Sequence, residues 1–202
     1  MSIDGSAIQQ SLNAASVVIV GAGAIAEHAA VNVQASGVGT LQRVDSIADL
    51  PSSPSCVLAC ADTPNPELLE AVNAAALSGG WKWIAGQIEW ASGLIGPAVL
   101  PGQSACYRCF ALRREANLGL PQEAFASDWG AVGALAACVG SLLALEALRL
   151  LSGVARPQTL GRVLRVDFLA TEMIFSRVLR LPNCPACGYG KRRLPQLSQA
   201  CT

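Results

Sequence analysis

A chain of 202 residues is long enough to bury one full hydrophobic core, with room for a small appendage. Its 14 basic and 14 acidic residues balance to a net charge of zero, which argues against nucleic-acid and anionic-membrane surfaces. Neither a secretory signal nor a membrane span is predicted, because the N-terminus lacks a basic and then apolar pattern and the longest uncharged apolar stretch, 131–145, is too short.

The first half of the chain predicts strands that alternate with helices. Residues 1–15 lack clear apolar periodicity and are expected to form a tail or a short helix. An unbroken β-branched run at 17–20 is typical of a central parallel strand covered on both faces. Gly21, Gly23 and Ala26 then mark a turn that opens a helix. Further strands are predicted at 41–45, 56–61, 82–84, 87–90 and 94–99.

One helix between these strands carries clear boundary signals. Asn65 suits the N-cap, Pro66 the first helical position and Glu67 the first turn, whereas Gly79 and Gly80 end the helix. Alternating strands and helices favour a parallel sheet with right-handed crossovers. We therefore expect an α/β fold, a shortened Rossmann-like sheet with helices on both faces.

The second half has a different pattern. A polar stretch at 115–127 is a candidate loop or lid, and a helix is predicted at about 128–151. Two strands at 161–169 and 172–181 form a predicted β-hairpin. We expect three segments in all: the tail or short helix 1–15, one domain over 16–190, and a flexible basic tail over 191–202.

Two C-x-x-C pairs, 74 residues apart, are the strongest chemical signal. Cys106, Cys109, Cys184 and Cys187 supply the four soft ligands of a closed tetrahedral zinc site, which predicts a structural rather than a catalytic ion. A redox dithiol or buried, unreactive thiols are the alternatives. The remaining cysteines are assigned to the core or, for the last of them, to the tail: Cys56, Cys60, Cys138 and Cys201.

The segment GAGAIA follows a strand and opens a helix, which is the context of a phosphate-binding turn. Asp45 stands where a ribose-binding carboxylate would stand in a dinucleotide fold. The same glycines also allow a helix to pack closely on a strand. The lone histidine, His28, is assigned a packing or surface role on this helix.

The run GAGAIAEHAAVNVQASGVGTLQRVD, the Asp62 of CADT and the split cysteine pairs resemble the ThiF-type superfamily of ubiquitin-activating-enzyme-like adenylyltransferases. A closer resemblance covers residues 16–188. It is to the ThiF-like partner proteins of azole-forming peptide biosynthesis, the cyclodehydratase C proteins or leader-peptide-binding proteins of thiazole/oxazole-modified microcins. The segments that carry it are IGPAVLPGQSACYRCFALRR, ALAACVGSLLALEALRLLSG, TLGRVLRVDF and LRLPNCPACG.

For an active ThiF-type enzyme the resemblance implies phosphates on the glycine turn, an acidic pair at the end of the second strand and an arginine from an S-N-x-x-R-Q segment. It also implies a lysine on the next helix and a late aspartate for magnesium. Gly21, Gly23, Asp45 and Asp62 match parts of that set, but the arginine segment and the lysine helix do not appear. Adenylation needs cations that neutralise the reacting triphosphate. We therefore expect a vestigial nucleotide site that does not use ATP and magnesium.

The resemblance implies an accessory, non-catalytic subunit in the biosynthesis of ribosomally made modified peptides of the azoline, thiazole or oxazole type. In that family a YcaO-type cyclodehydratase uses the ATP, and the ThiF-like partner presents the precursor's leader peptide. Because only some 15 residues precede the first strand, we expect a short form without an N-terminal recognition module. Such a form would dock on the YcaO-type enzyme or on a separate leader-recognition protein.

Location and assembly follow from composition and from the same resemblance. Eight cysteines without a signal peptide favour the reducing cytoplasm. A composition of 52% hydrophobic and 14% charged residues predicts that part of the surface is covered by a second copy or a stable partner. The resemblance implies a homodimer, since related ThiF-type proteins are commonly homodimers.

Two other functions fit part of the sequence. The chain could be an ATP-dependent adenylyltransferase that activates a peptide carboxylate, using the glycine turn with Asp45 and Asp62. It could also be an NAD(P)-binding oxidoreductase, which GAGAIA and Asp45 alone support.

Two groups of side chains allow either a partner surface or ordinary packing. Arg108, Arg113 and Arg114 near the first cysteine pair are interpreted as a solvated face, with a docking edge as the alternative. The four tryptophans could be interface anchors or core residues: Trp81, Trp83, Trp90 and Trp129.

Overall fold

The computed structural model describes residues 4–119 and 132–188. In chain order the elements are α1 Gly5–Asn13, β1 Ser16–Val20, α2 Ala24–Ala35, β2 Thr40–Val44, a 3₁₀ turn Ile47–Asp49, β3 Cys56–Ala61, α3 Pro66–Gly79, β4 Trp83–Glu89, β5 Ser92–Val99, α4 Tyr107–Leu118, α5 Gly133–Ser152, β6 Arg162–Asp167 and β7 Glu172–Arg177. The strands form one seven-stranded sheet in the order β2-β1-β3-β4-β5-β6-β7.

The first four strands of this sheet are parallel, as predicted for alternating strands and helices. β1 and β3 lie inside the sheet and are buried along nearly their whole length, which is why their sequences are continuous apolar runs. The predicted α/β fold with a Rossmann-like sheet is therefore confirmed.

β5, β6 and β7 run antiparallel to their neighbours, so that β4–β5 and β6–β7 form two hairpins. The prediction of separate strands at 82–84 and 87–90 is wrong, because β4 runs unbroken through this region. Gly86 interrupts the apolar pattern there, and the pairing with β5 shifts between Ile84 and Gly86. A Cβ at Gly86 would lie 2.8 Å from Leu143 of α5, so the glycine makes room for a helix.

Helices cover both faces of the sheet, as the sequence predicts. The core on one face contains residues of α2 and α5, and the core on the other contains residues of α3 and α4. Asn65 caps α3 by accepting the N–H of Leu68 at 3.0 Å, and Gly80 ends it in the left-handed conformation.

Among the described residues, α5 is long and apolar enough to cross a bilayer by length and composition alone. Eight of its residues are buried in the domain, including Val139 and Leu143, and it packs along α2. We assign it as a core helix for that reason.

The polar stretch predicted as a loop is partly wrong, because residues 115–118 complete α4. The rest of that stretch lies outside the described residues, as do Trp129, the predicted start of α5 at 128, Cys201 and the tail 191–202.

Candidate metal centre and candidate nucleotide site

The two cysteine pairs are brought together by α4 and by the segment that follows β7. Cys106 is the N-cap of α4 and Cys109 lies in its first turn. Cys184 and Cys187 lie in a turn closed by the N–H of Gly188, which donates to the carbonyl of Cys184 at 2.8 Å. All four sulfur atoms lie within 4.8 Å of one another.

The sulfur spacing fits a tetrahedral ion. The Sγ–Sγ distances are 3.8 Å for Cys106–Cys109, 3.7 Å for Cys106–Cys184 and 3.5 Å for Cys109–Cys187. Four sulfurs about 2.3 Å from a central zinc ion would be about 3.8 Å apart. The cysteines are free thiols rather than disulfides. The arrangement is therefore compatible with zinc and, with every position taken by protein, leaves none for a substrate.

Two of the thiols are held in their protonated form while no ion neutralises them. Burial raises the pKa of Cys109 to about 11 and raises the pKa of Cys106 further still. The backbone N–H of Leu181 points at Cys109 Sγ at 3.4 Å and favours a thiolate there. A bound cation would displace the protons, so uptake of a metal ion releases acid.

Side chains outside the cluster fix the two halves of the site. Arg180 donates to the carbonyls of Gly102, at 3.3 Å, and Cys187, at 2.5 Å. Asn73 of α3 accepts the backbone N–H of Tyr107 at 3.1 Å, next to Cys106. These contacts tie the cysteine turns to the sheet and to α3.

The glycine turn is occupied by one of the chain's own carboxylates. Asp62, just after β3, accepts the backbone N–H groups of Ala24 at 2.7 Å and Ile25 at 3.0 Å. These are the first N–H groups of α2, which a phosphate would otherwise bind. A Cβ at Gly23 would lie 2.4 Å from Asp62 Oδ2, and one at Gly21 would lie 2.2 Å from the carbonyl oxygen of Cys60. The glycines thus allow the close approach of β3 and of Asp62.

The other predicted nucleotide residue, Asp45, lies beside the glycine turn, because the residue before it, Val44, pairs with Val20 and accepts the N–H of Gly21 at 3.2 Å. Asp45 is exposed, and β1 separates its strand from β3, which precedes Asp62. The surroundings are acidic, because Arg43 is the one Lys or Arg in residues 1–81, against seven acidic residues. His28 is exposed on α2.

The arginines near the first cysteine pair do not form the predicted solvated face, because two of them are held in ion pairs. Arg108 pairs with Glu70 of α3 at 3.4 Å. Arg114 forms a bidentate pair with Glu89, at the end of β4. Gln87 donates to the same carboxylate at 2.6 Å, and burial raises the pKa of Glu89 while Arg114 opposes that shift. Sequence reasoning missed Glu89 because its partner is 25 residues away on another element.

The tryptophans divide between the core and the surface. Trp81 and Trp83 are buried, and the Trp83 and Tyr107 rings lie 6.0 Å apart. Trp90 is 55% exposed in the turn between β4 and β5.

Comparisons with known proteins identify one protein family. The ThiF family model matches residues 43–187. The sulfur carrier protein adenylyltransferase of Thermus thermophilus is 35% identical over 92 residues, which cover 46% of this chain and 32% of that protein. The molybdopterin-synthase adenylyltransferase of Salmonella typhimurium is 26% identical over 144 residues, 71% of this chain and 55% of that protein. The matched regions span 30–55% of the length of the curated relatives.

Solved structures show the same fold at low sequence identity. Escherichia coli MccB has a TM-score of 0.78 at 16% identity, covering 94% of this chain and 69% of MccB. The heterocyclase TruD has a TM-score of 0.71 at 19% identity, covering 92% of this chain and 29% of TruD.

Proposed function

Because this chain belongs to the ThiF family, we propose that it is an accessory, non-catalytic member that serves the biosynthesis of ribosomally made modified peptides. It would present a precursor peptide to an ATP-using, YcaO-type cyclodehydratase, or dock on that enzyme together with a separate leader-recognition protein. Holding the two together raises their effective concentration without any chemistry on this chain.

The occupied glycine turn is the observation that carries the proposal. The carboxylate of Asp62 sits on the N–H groups of Ala24 and Ile25 that would bind phosphate. Residues 1–81, which form the glycine turn and the strands beside it, contain one Lys or Arg, Arg43, against seven acidic residues. Adenylation depends on cations that stabilise the reacting phosphates, so this edge of the sheet is unsuited to it.

The structural relatives support the peptide context. MccB has been crystallised with MccA, and as a microcin C7 biosynthetic enzyme with N-formylated MccA. TruD is a heterocyclase. Both share the fold of this chain across more than nine-tenths of its length.

Zinc on Cys106, Cys109, Cys184 and Cys187 belongs to the proposal as a structural ion. A cytoplasmic location keeps these thiols reduced. A homodimer is part of the same proposal, since the chain exposes large apolar side chains on β7, among them Met173 and Phe175.

The test is reconstitution with a YcaO-type cyclodehydratase and a precursor peptide from the same organism. We expect a complex on size-exclusion chromatography and faster azoline formation when this chain is added. The chain alone should show no ATP–pyrophosphate exchange with the peptide. Absence of both complex and stimulation would contradict the accessory role.

One rival function has a specific observation in its favour, since several curated relatives are adenylyltransferases. Under that alternative the chain activates a peptide carboxylate, with Asp62 moving from α2 to a magnesium ion. Pyrophosphate exchange by the purified chain, with Asp62→Ala as its inactive control, would establish the rival and overturn the accessory role.

A further inference from the structure

A large open cavity lies beside α4, far along the sheet from the glycine turn. Its volume is about 820 Å³, within the range of ligand pockets, and its walls come from α4 and from both antiparallel hairpins. We call it the α4 groove. Its apolar walls include Leu94, Phe110 and Val163, and its rim carries Trp90, Leu118 and Leu169.

The rim side chains are unusually exposed for their size. Trp90 is 55% exposed, Leu118 is 51% exposed and Leu169 is 76% exposed. Large apolar side chains grouped around a concave surface mark sites of ligand or partner binding.

Trp90 also sits where the backbone disfavours it. Glu89 pairs with Ser92, so Trp90 and Ala91 form a two-residue hairpin loop, and Trp90 has a φ of 51°. Such a loop favours glycine at a positive-φ position, and another residue costs about 1 kcal/mol there. The backbone at this position would therefore suit glycine better than tryptophan.

The charges in the groove are not balanced. Glu89 is neutralised by Arg114, and Asp167 by Arg165 at 3.2 Å. Arg113 gives its Nε–H to the carbonyl of Leu179 at 3.0 Å, and within residues 4–119 and 132–188 no carboxylate pairs with it. One positive side chain therefore faces the groove in excess.

We propose that the α4 groove binds a linear peptide segment that carries acidic side chains next to large apolar ones. Trp90, Leu118 and Phe110 would hold the apolar side chains, and Arg113 a carboxylate. This inference rests on the proposed function, because it names the part of the precursor peptide that the accessory subunit would hold.

Binding to the purified chain is measured with short fluorescein-labelled peptides and fluorescence anisotropy. One probe contains Phe, Leu and Glu, a second has every Glu replaced by Lys, and a third has every Phe and Leu replaced by Ser. We expect the first probe to bind at least about tenfold more tightly than either other probe. Equal binding of all three, or no binding of the first, would overturn the proposal.

Matched variants locate the site. Trp90→Gly relieves the backbone at the loop and should keep the fold, as judged by circular dichroism, yet weaken the first probe by about tenfold or more. Thr171→Gly relieves a similar φ of 56° in the other hairpin, outside the groove, and should leave binding unchanged. Arg113→Glu should weaken binding similarly, whereas Arg156→Glu, exposed and outside the groove, should not.

The outcome for the groove is separable from that for the accessory role. If Trp90→Gly binds the first probe as tightly as the parent chain, the groove assignment is wrong. Complex formation with the YcaO-type enzyme, measured on the same variant, reports independently on the proposed function.

Discussion

Asp62 illustrates how one side chain can determine what a motif does. The glycine turn has the strand before it and the helix after it that a phosphate-binding turn requires. A carboxylate takes the place of the phosphate and satisfies two N–H groups of α2. The sequence supplies both Gly23 and Asp62, but only the folded chain brings them together.

Replacing Asp62 should therefore destabilise the protein. We expect Asp62→Ala to lower the free energy of unfolding by about 1–2 kcal/mol, the usual cost of losing a helix cap and its charge. Asp45→Ala is the control, because Asp45 is exposed after β2 and should change stability little. Urea unfolding measures both, and equal effects would contradict the capping role.

Cys56 gives a second prediction at the scale of one residue. Burial raises the pKa of its thiol to about 12, against a small opposing effect of Lys82. Between pH 9 and pH 12 the folded state keeps a proton that the unfolded state loses, so the thiol's contribution to stability falls as the pH rises.

The Cys56→Ala variant has no thiol at this position, so its stability does not fall with pH for this reason. The difference in unfolding free energy between the parent chain and the variant should therefore shrink by about 1.4 kcal/mol for each pH unit above about 9. Urea unfolding under reducing conditions at pH 8 and pH 10.5 measures the change. A difference that is the same at both pH values would show that the buried thiol is not protonated as stated.

At the scale of elements, local signals were enough for the parallel half of the fold. The β-branched run of β1 and the cap of α3 act through neighbours in sequence, and both were predicted. α4 was not predicted, because its charged residues pair with Glu70 and Glu89, far away in the chain. The groove could not be predicted either, since its walls come from three separate segments.

The contact between α2 and α5 depends on the smallest side chain in α5. A Cβ at Gly140 would lie 2.7 Å from the carbonyl oxygen of Ile25 and 2.8 Å from His28 Cβ. Both neighbours belong to the backbone or its first side-chain atom and cannot rotate away. The two helices can approach this closely only with glycine at that position.

Gly140→Ala should therefore destabilise the chain by about 1–2 kcal/mol, although alanine is the better helix former by about 1 kcal/mol. Gly133→Ala is the matched control, since nothing lies within 4 Å of a Cβ there. The control should be neutral or slightly stabilising in thermal unfolding. A stabilised Gly140→Ala protein would show that the helices have room to spare.

For the whole molecule, the net charge is zero although the two parts of the chain carry opposite net charges. Residues 1–81 contain one basic and seven acidic residues, whereas residues 82–202 contain thirteen basic and seven acidic residues. The parallel edge of the sheet is thus acidic and the antiparallel half is basic. Composition alone predicted no charged surface, because the two halves cancel. An anionic partner would approach the half that carries the α4 groove.

The cysteine cluster joins distant parts of the chain, so its loss should affect the whole molecule. Cys106 and Cys184 are 78 residues apart, and an ion between them closes a loop that includes α4, α5 and the β6–β7 hairpin. An ion bound only by the folded chain adds its binding free energy to stability. We expect one zinc ion per chain in the purified protein, measured by elemental analysis.

Cys184→Ser should then lose the zinc and melt well below the parent chain, by an amount equivalent to at least about 3 kcal/mol. Cys138→Ser is the control, because Cys138 lies half-buried on α5 outside the cluster and should retain both zinc and stability. A chelator should lower the melting temperature of the parent and the control but not of Cys184→Ser. If chelation affects none of the three proteins, the four thiols pack without an ion and the zinc assignment is wrong.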